Sequence, residues 1–205
     1  MARYIPWVWL FVFGSLWGLS ELAGAKALDE ANVPHASVYL SASGFFLLAV
    51  ARGLFNRRGT SSVIGGIAAL FRLVNAYFVC HILGIFLMGV AFDLAASILL
   101  KGEKKGFLRS SLTGITGAYG GYALFAFIMT YVIRYEIWVA GGLPKVLDHV
   151  FVSGSLAAGV AALLVPIGYI LGLRSRTQAR LESRWAFIGS LLLAVIIWTL
   201  GRMAG

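Results

Sequence analysis

Charge is scarce in this sequence. Asp, Glu, Lys and Arg make up 12% of its 205 residues, about half the roughly 25% of a water-soluble domain. So few charges cannot coat a water-facing globule, and 60% of the residues are hydrophobic, with a mean hydropathy of +0.88. An integral membrane protein is the class this composition leaves. Cysteine is almost absent. Cys80 stands alone, which excludes an intramolecular disulfide and any CxxC metal or redox motif. Acids are the scarcer charge, eight against 17 bases, for a net charge of +9. In a soluble chain that excess would point to nucleic acid. Here the basic residues sit in short clusters between apolar runs, without interleaved aromatics, so they report topology instead.

What is present is a series of apolar runs. A bilayer core takes about 20 apolar residues as helix. The runs predict spans at Ile5–Ala27, His35–Phe55, Ser62–Asn75, Cys80–Leu100, Ser110–Ile133, Val150–Leu173 and Trp185–Leu200. The first has the outline of a signal peptide, "MAR" before an apolar core and "LAGAKA" after it. It is also long enough to span, and it reads as a retained transmembrane helix. Residues 62–100 form one apolar stretch without proline, too long for one span and short for two. The polar cluster of Arg72, Asn75 and His81 is the place to turn, giving a tight helical hairpin with a short third helix.

Lys and Arg are enriched in short cytoplasmic loops. With the N-terminus inside, the inner segments hold Arg3, Arg52, Arg57, Arg58, Lys101, Lys104, Lys105, Arg109, Arg174, Arg176, Arg180 and Arg184, twelve of the 17 bases. The outer segments hold Lys26, Arg72, Arg134, Lys145 and Arg202. This alternation requires residues 62–100 to cross twice. The expectation is an all-α fold: one polytopic membrane bundle over 1–205 with about seven helices (six with a partial helix is the alternative), N-terminus cytoplasmic. A prokaryotic cytoplasmic (inner) membrane is the expected location. Small residues let helices approach closely in lipid, which assigns packing to Gly114, Gly117 and Gly121 on the fifth span and to Gly154, Ala157, Ala158 and Ala161 on the sixth. Pro166 removes a backbone donor there and predicts a kink. No internal repeat is visible, nor a GxGxxG or P-loop signature.

The polar residues within the spans are the functional candidates, since each charge in lipid costs roughly 2.5–3.5 kcal/mol even on insertion scales. Glu21 lies about 24 Å along the first helix, in the outer leaflet, on a face with Gly14, Gly18 and Ala25. It therefore points into the bundle; the alternative is an interfacial Glu, paired with a Lys or Arg or simply wet. Arg72 and Asn75 are inward-facing candidates to receive a carboxylate or phosphate, and Arg72 alternatively neutralises Glu21. His81 joins them. His35, His81 and His149 all fall on the outer side, near the level of Glu21. Imidazoles with carboxylates suit a transition metal, and His pairs hold haem iron, although no HxxH or HExxH spacing supports a preformed site. Asp93 is the deepest acid, in the inner half of the fourth span. It is a candidate proton-relay or ion-binding residue, or else a helix-packing Asp paired with a base such as Arg109. Catalysis has little to rest on. No nucleophile–base pair or lipid-phosphate motif is visible, and the adjacent Cys80 and His81 diverge on a helix. The Arg-rich loop from Arg174 to Arg184 suits anionic headgroups or a cytoplasmic partner, and topology alone also accounts for it.

The segment "LWGLSELAGAKAL", with Ala23 and Ala27 in an Ala-x-x-x-Ala pattern, resembles the first helix of the S components of energy-coupling-factor transporters. "HILGIFLMGVAFDLAASIL" is similar to their later helices. The resemblance implies capture of a vitamin or metal from outside, with scaffold and ATPase subunits as partners. That pattern has six spans where this chain reads as seven, and this Ala pair lies at the outer end. Three functions follow as expectations. The first is a small transport component taking a polar solute, vitamin-like molecule or metal into an outward-facing pocket lined by Glu21, Arg72, Asn75 and His81. The second is a membrane subunit or enzyme holding a metal or haem on His35, His81 and His149. The third is a structural subunit without ligand.

Overall fold

The computed structural model describes residues 5–100, 106–178 and 184–205. Eight α-helices follow one another: α1 Ile5–Glu30, α2 Ala36–Phe55, α3 Thr60–Asn75, α4 Val79–Leu99, α5 Phe107–Phe127, α6 Glu136–Asp148, α7 Gly154–Gln178 and α8 Arg184–Ala204. A π-turn at Ile128–Val132 ends α5, and a second at His149–Ser153 joins α6 to α7. Among the described residues, six apolar stretches are long enough to cross a bilayer: 7–30, 36–55, 79–99, 107–132, 136–175 and 185–204, with Thr60–Asn75 as a shorter apolar helix. The chain is a polytopic helical membrane bundle.

The hairpin expected within 62–100 forms. Helices α3 and α4 meet at residues 76–78, and the 16-residue α3 is roughly 24 Å long at 1.5 Å per residue. Several boundaries differ from expectation, among them the ends of α7 at Gln178 and α8 at Ala204. The first span runs on to Glu30. The segment after Ile133, expected as an outer loop, is the helix α6, which turns at Gly142 (φ 54°, ψ −152°), a conformation essentially only glycine adopts. Of the basic clusters expected inside, Arg3, Lys101, Lys104, Lys105 and Arg180 lie outside the described residues, as does part of the Arg174–Arg184 loop.

Helices α1, α3, α4, α5, α7 and α2 pack neighbour to neighbour in a closed ring, and α8 is applied to the outside of α1 and α3. Trp17, Phe45, Leu48, Ile64, Phe92 and Tyr169 fill the ring. Phe71, Ala194 and Ile197 seat α8, whose Trp198 donates from Nε1 to Ser15 Oγ at 2.9 Å. The small-residue faces do the packing expected of them. A Cβ on Gly114 would meet the Ala161 carbonyl oxygen at 2.5 Å, and one on Gly117 or Gly121 would meet α4 at Phe92 or Met88. The tightest crossing, α2 on α7, was not foreseen: a Cβ on Gly172 would lie 2.1 Å from the Val50 carbonyl oxygen. Pro166 lies within the continuous helix α7. Its missing N–H would have reached the Ala162 carbonyl four residues earlier. Ser111 Oγ on α5 donates to that carbonyl at 2.8 Å instead, so a neighbouring helix satisfies the acceptor the proline frees.

Candidate functional site: a cavity at one end of the bundle

Alternating helices bring the C-terminal ends of α1, α3, α5 and α8 to the same end of the bundle as the N-terminal ends of α2 and α4. Between them lies a cavity of about 890 Å³. Its floor includes Ser41, Met88 and Gly121, its side Glu21, Arg72 and His81, and its rim the exposed Lys26, Asp29 and Asn32. Two of these charges are buried: Glu21 is 4% and Arg72 6% exposed.

Local packing sets Glu21. Gly14 and Gly18, two turns and one turn earlier, lie so close to α3 that a Cβ on either would meet Ile67 or Phe71 at 2.6 Å. That face of α1 is therefore pressed onto α3, and its next turn carries Glu21 to the level of Arg72. Trp17, four residues earlier on the same face, donates from Nε1 to Glu21 Oε1 at 3.1 Å. Arg72 Nη2 lies 2.9 Å from His81 Nδ1. A guanidinium can only donate, so His81 Nδ1 accepts and the neutral ring carries its proton on Nε2. Arg72 Nε is buried without a partner. Glu21 and Arg72 do not form an ion pair; among the described residues the one ion pair is Arg52–Asp93.

The opposite wall is aromatic. His149 opens the π-turn before α7 and stacks on Tyr122 at 4.8 Å between ring centroids. Trp138 of α6 meets it edge-on at 5.0 Å, and Phe125 lies 5.4 Å away. Tyr122 hydroxyl and Ser41 Oγ are 2.9 Å apart. Ser41 spends its own hydrogen on the Ser37 carbonyl, so Tyr122 is the donor between them.

The structure thus brings Glu21, Arg72 and His81 into one cavity and leaves two expected ligand residues out of it. Asn75 turns back into its own helix, where Nδ2 donates to the Phe71 carbonyl at 2.8 Å, and it does not line the cavity. Asp93 lies at the far end of the bundle. Its carboxylate accepts from Arg52 Nη1 at 3.3 Å, the Gly59 amide at 2.7 Å and Ser62 Oγ at 3.1 Å. It ties the α2–α3 connection to α4, and its base is Arg52 rather than Arg109. The histidines do not converge either. His81 and His149 line the cavity, while His35 starts α2 in a left-handed conformation and reaches Ser153 at 3.4 Å. Among the described residues no three His, Cys, Asp or Glu side chains gather where they could hold a metal ion. The aromatic wall was missed. Trp138 fell in a segment read as loop, and Tyr122 carried no signal; Trp17, four residues before Glu21, was readable.

Comparison with known proteins leaves the chain on its own: no family model matches it, and neither does any curated protein or solved structure.

Proposed function

We propose that this protein captures a small polar solute in the cavity at the α1 C-terminal end, as the substrate-binding component of a membrane transport system. The observation that carries this reading is the buried Glu21 and Arg72 in one cavity wall without an ion pair between them. Removing either charge from water costs several kcal/mol, and a membrane protein places charges at such depth chiefly around substrate and ion pathways. The cavity volume of about 890 Å³ lies in the range of small-molecule sites, about 300–1,000 Å³. Apolar and aromatic residues form most of its lining, with a few polar groups converging on one side, the usual composition of such sites.

The basic residues Arg52, Arg57, Arg58, Arg109 and Arg174 belong to the opposite end of the bundle. Under the positive-inside bias that end is cytoplasmic and the cavity opens outward, in a prokaryotic inner membrane. The resemblance to S components of energy-coupling-factor transporters fits this arrangement, with scaffold and ATPase subunits as separate chains. Ala23 and Ala27 are both exposed on α1, at the outer end where they depart from that pattern.

The test is native mass spectrometry of the purified chain. Wild type should retain a small molecule that Glu21→Ala and His81→Ala lose, with all three proteins eluting alike in size-exclusion chromatography. If wild type carries nothing and both variants support uptake as wild type does, the reading fails.

A further inference from the structure

We propose that the ligand of this cavity is a zwitterion: an anionic group facing Arg72 and a cationic group facing Glu21, carried on an apolar or ring-bearing body. The inference rests on the capture function above and narrows it to a chemical class.

Glu21 and Arg72 are both more than nine-tenths buried and both line the cavity. Neither is neutralised within hydrogen-bonding distance by the protein. Glu21 has one hydrogen bond, from the neutral indole of Trp17. Arg72 donates to a neutral imidazole, and its Nε has no partner. A ligand with a single charge would answer one of these groups and seal the other away from water with only the longer-range attraction of its neighbour. A ligand with both charges answers both, and the carboxylate–guanidinium contact is the stronger, geometrically directed kind. The His81 Nε2–H, fixed by Arg72 on the other ring nitrogen, is a second donor for the anionic end. Below the rim of Lys26 and Asp29, the lining suits a body without charge: Phe78, Tyr122, Phe125 and Trp138, with Leu40 and Ile85. Aromatic faces also favour a nearby cation. The same chemistry occurs in free amino-acid-like solutes and in zwitterionic phospholipid headgroups.

The experiment is isothermal titration calorimetry on the purified full chain in dodecyl maltoside. The probes are L-tryptophan, its cation-only relative tryptamine, its anion-only relative indole-3-propionate, and lysophosphatidylethanolamine. L-tryptophan (a free-solute source) or lysophosphatidylethanolamine (a lipid source) should bind at least about tenfold more tightly than either singly charged probe, since an unmatched buried charge costs more than a factor of ten. Glu21→Gln, which keeps the side-chain shape, should lower zwitterion affinity by about tenfold or more and tighten indole-3-propionate, which no longer shares the cavity with a buried carboxylate; a merely structural Glu21 would weaken all probes together. Should the variant fail to fold, the wild-type probe series decides alone. Tryptamine or indole-3-propionate binding as tightly as the zwitterions overturns the proposal and leaves capture standing. So does a retained molecule, lost in Glu21→Gln, that carries only one charge or none; a retained molecule with both charges supports the proposal. No probe bound and no molecule retained removes both.

Discussion

Arg52 and Asp93 show what a finished buried charge looks like in this protein. Asp93 accepts three hydrogen bonds, and Arg52 donates to the Arg57 carbonyl at 2.5 Å and the Ala96 carbonyl at 3.4 Å as well as to Asp93. Arg52 Nε lacks a partner as Arg72 Nε does, but the other groups are spent on holding the α2–α3 connection against α4, and neither residue lines the cavity. Glu21 and Arg72 have equal burial and far fewer partners, so the two pairs call for different explanations. The contrast yields a prediction. Asp93→Ala leaves Arg52 buried without its counter-ion and should destabilise the bundle by about 3 kcal/mol, read as a lowered melting temperature in detergent, while ligand affinity of the folded fraction stays at the wild-type value. Loss of ligand binding without loss of stability would move Asp93 into the binding machinery, where its position in the sequence first suggested it.

At the scale of elements, close backbone approach holds the ring together. Helices in lipid gain little from hydrophobic burial against one another, so van der Waals contact between small faces carries association. The crossing of α2 on α7 is the extreme, and Gly172→Val should wedge it open: its Cβ would stand 2.1 Å from the Val50 carbonyl oxygen, backbone that cannot swing aside. Gly66→Ala on α3 is the counterpart. Nothing lies within 4 Å of its Cβ, and alanine gains up to about 1 kcal/mol of helix propensity. Fluorescence-detected size-exclusion chromatography should show Gly172→Val aggregated and Gly66→Ala monodisperse. The same scale separates what was legible from what was not. Apolar run length gave the spans, and charge alternation divided 62–100 into two helices, because both follow directly from the solvent. Helix α6 was illegible because Arg134, Glu136, Lys145 and Asp148 carry an ordinary loop composition, and only the inserted Trp138 betrays that the segment folds back over the cavity. Glu21 was legible because its glycine neighbours on one face dictate contact with α3. Asn75 lies outside the cavity because its amide bonds back to its own helix, a choice that spacing does not reveal.

For the whole molecule, the ring of α1, α3, α4, α5, α7 and α2 is tied off at one end by the Arg52–Asp93 cluster and hollow at the other. That polarity suits the proposed capture role: a closed end beside the clustered arginines and a cavity at the opposite end. Orientation in the membrane therefore decides whether the cavity samples the outside or the cytoplasm. Cys80, the only cysteine in the chain, lines the cavity and is partly exposed, so the unmodified protein carries its own reporter. In right-side-out vesicles, a charged, membrane-impermeant methanethiosulfonate should modify Cys80 without permeabilisation, and saturating ligand should slow the reaction. In a Cys80→Ser background, Arg57→Cys, at the opposite end on an exposed residue, should react only after the vesicles are opened. The reverse pattern would place the cavity on the cytoplasmic side and turn capture from outside into release from within. The residues of the site would keep their chemistry, but they would be serving export.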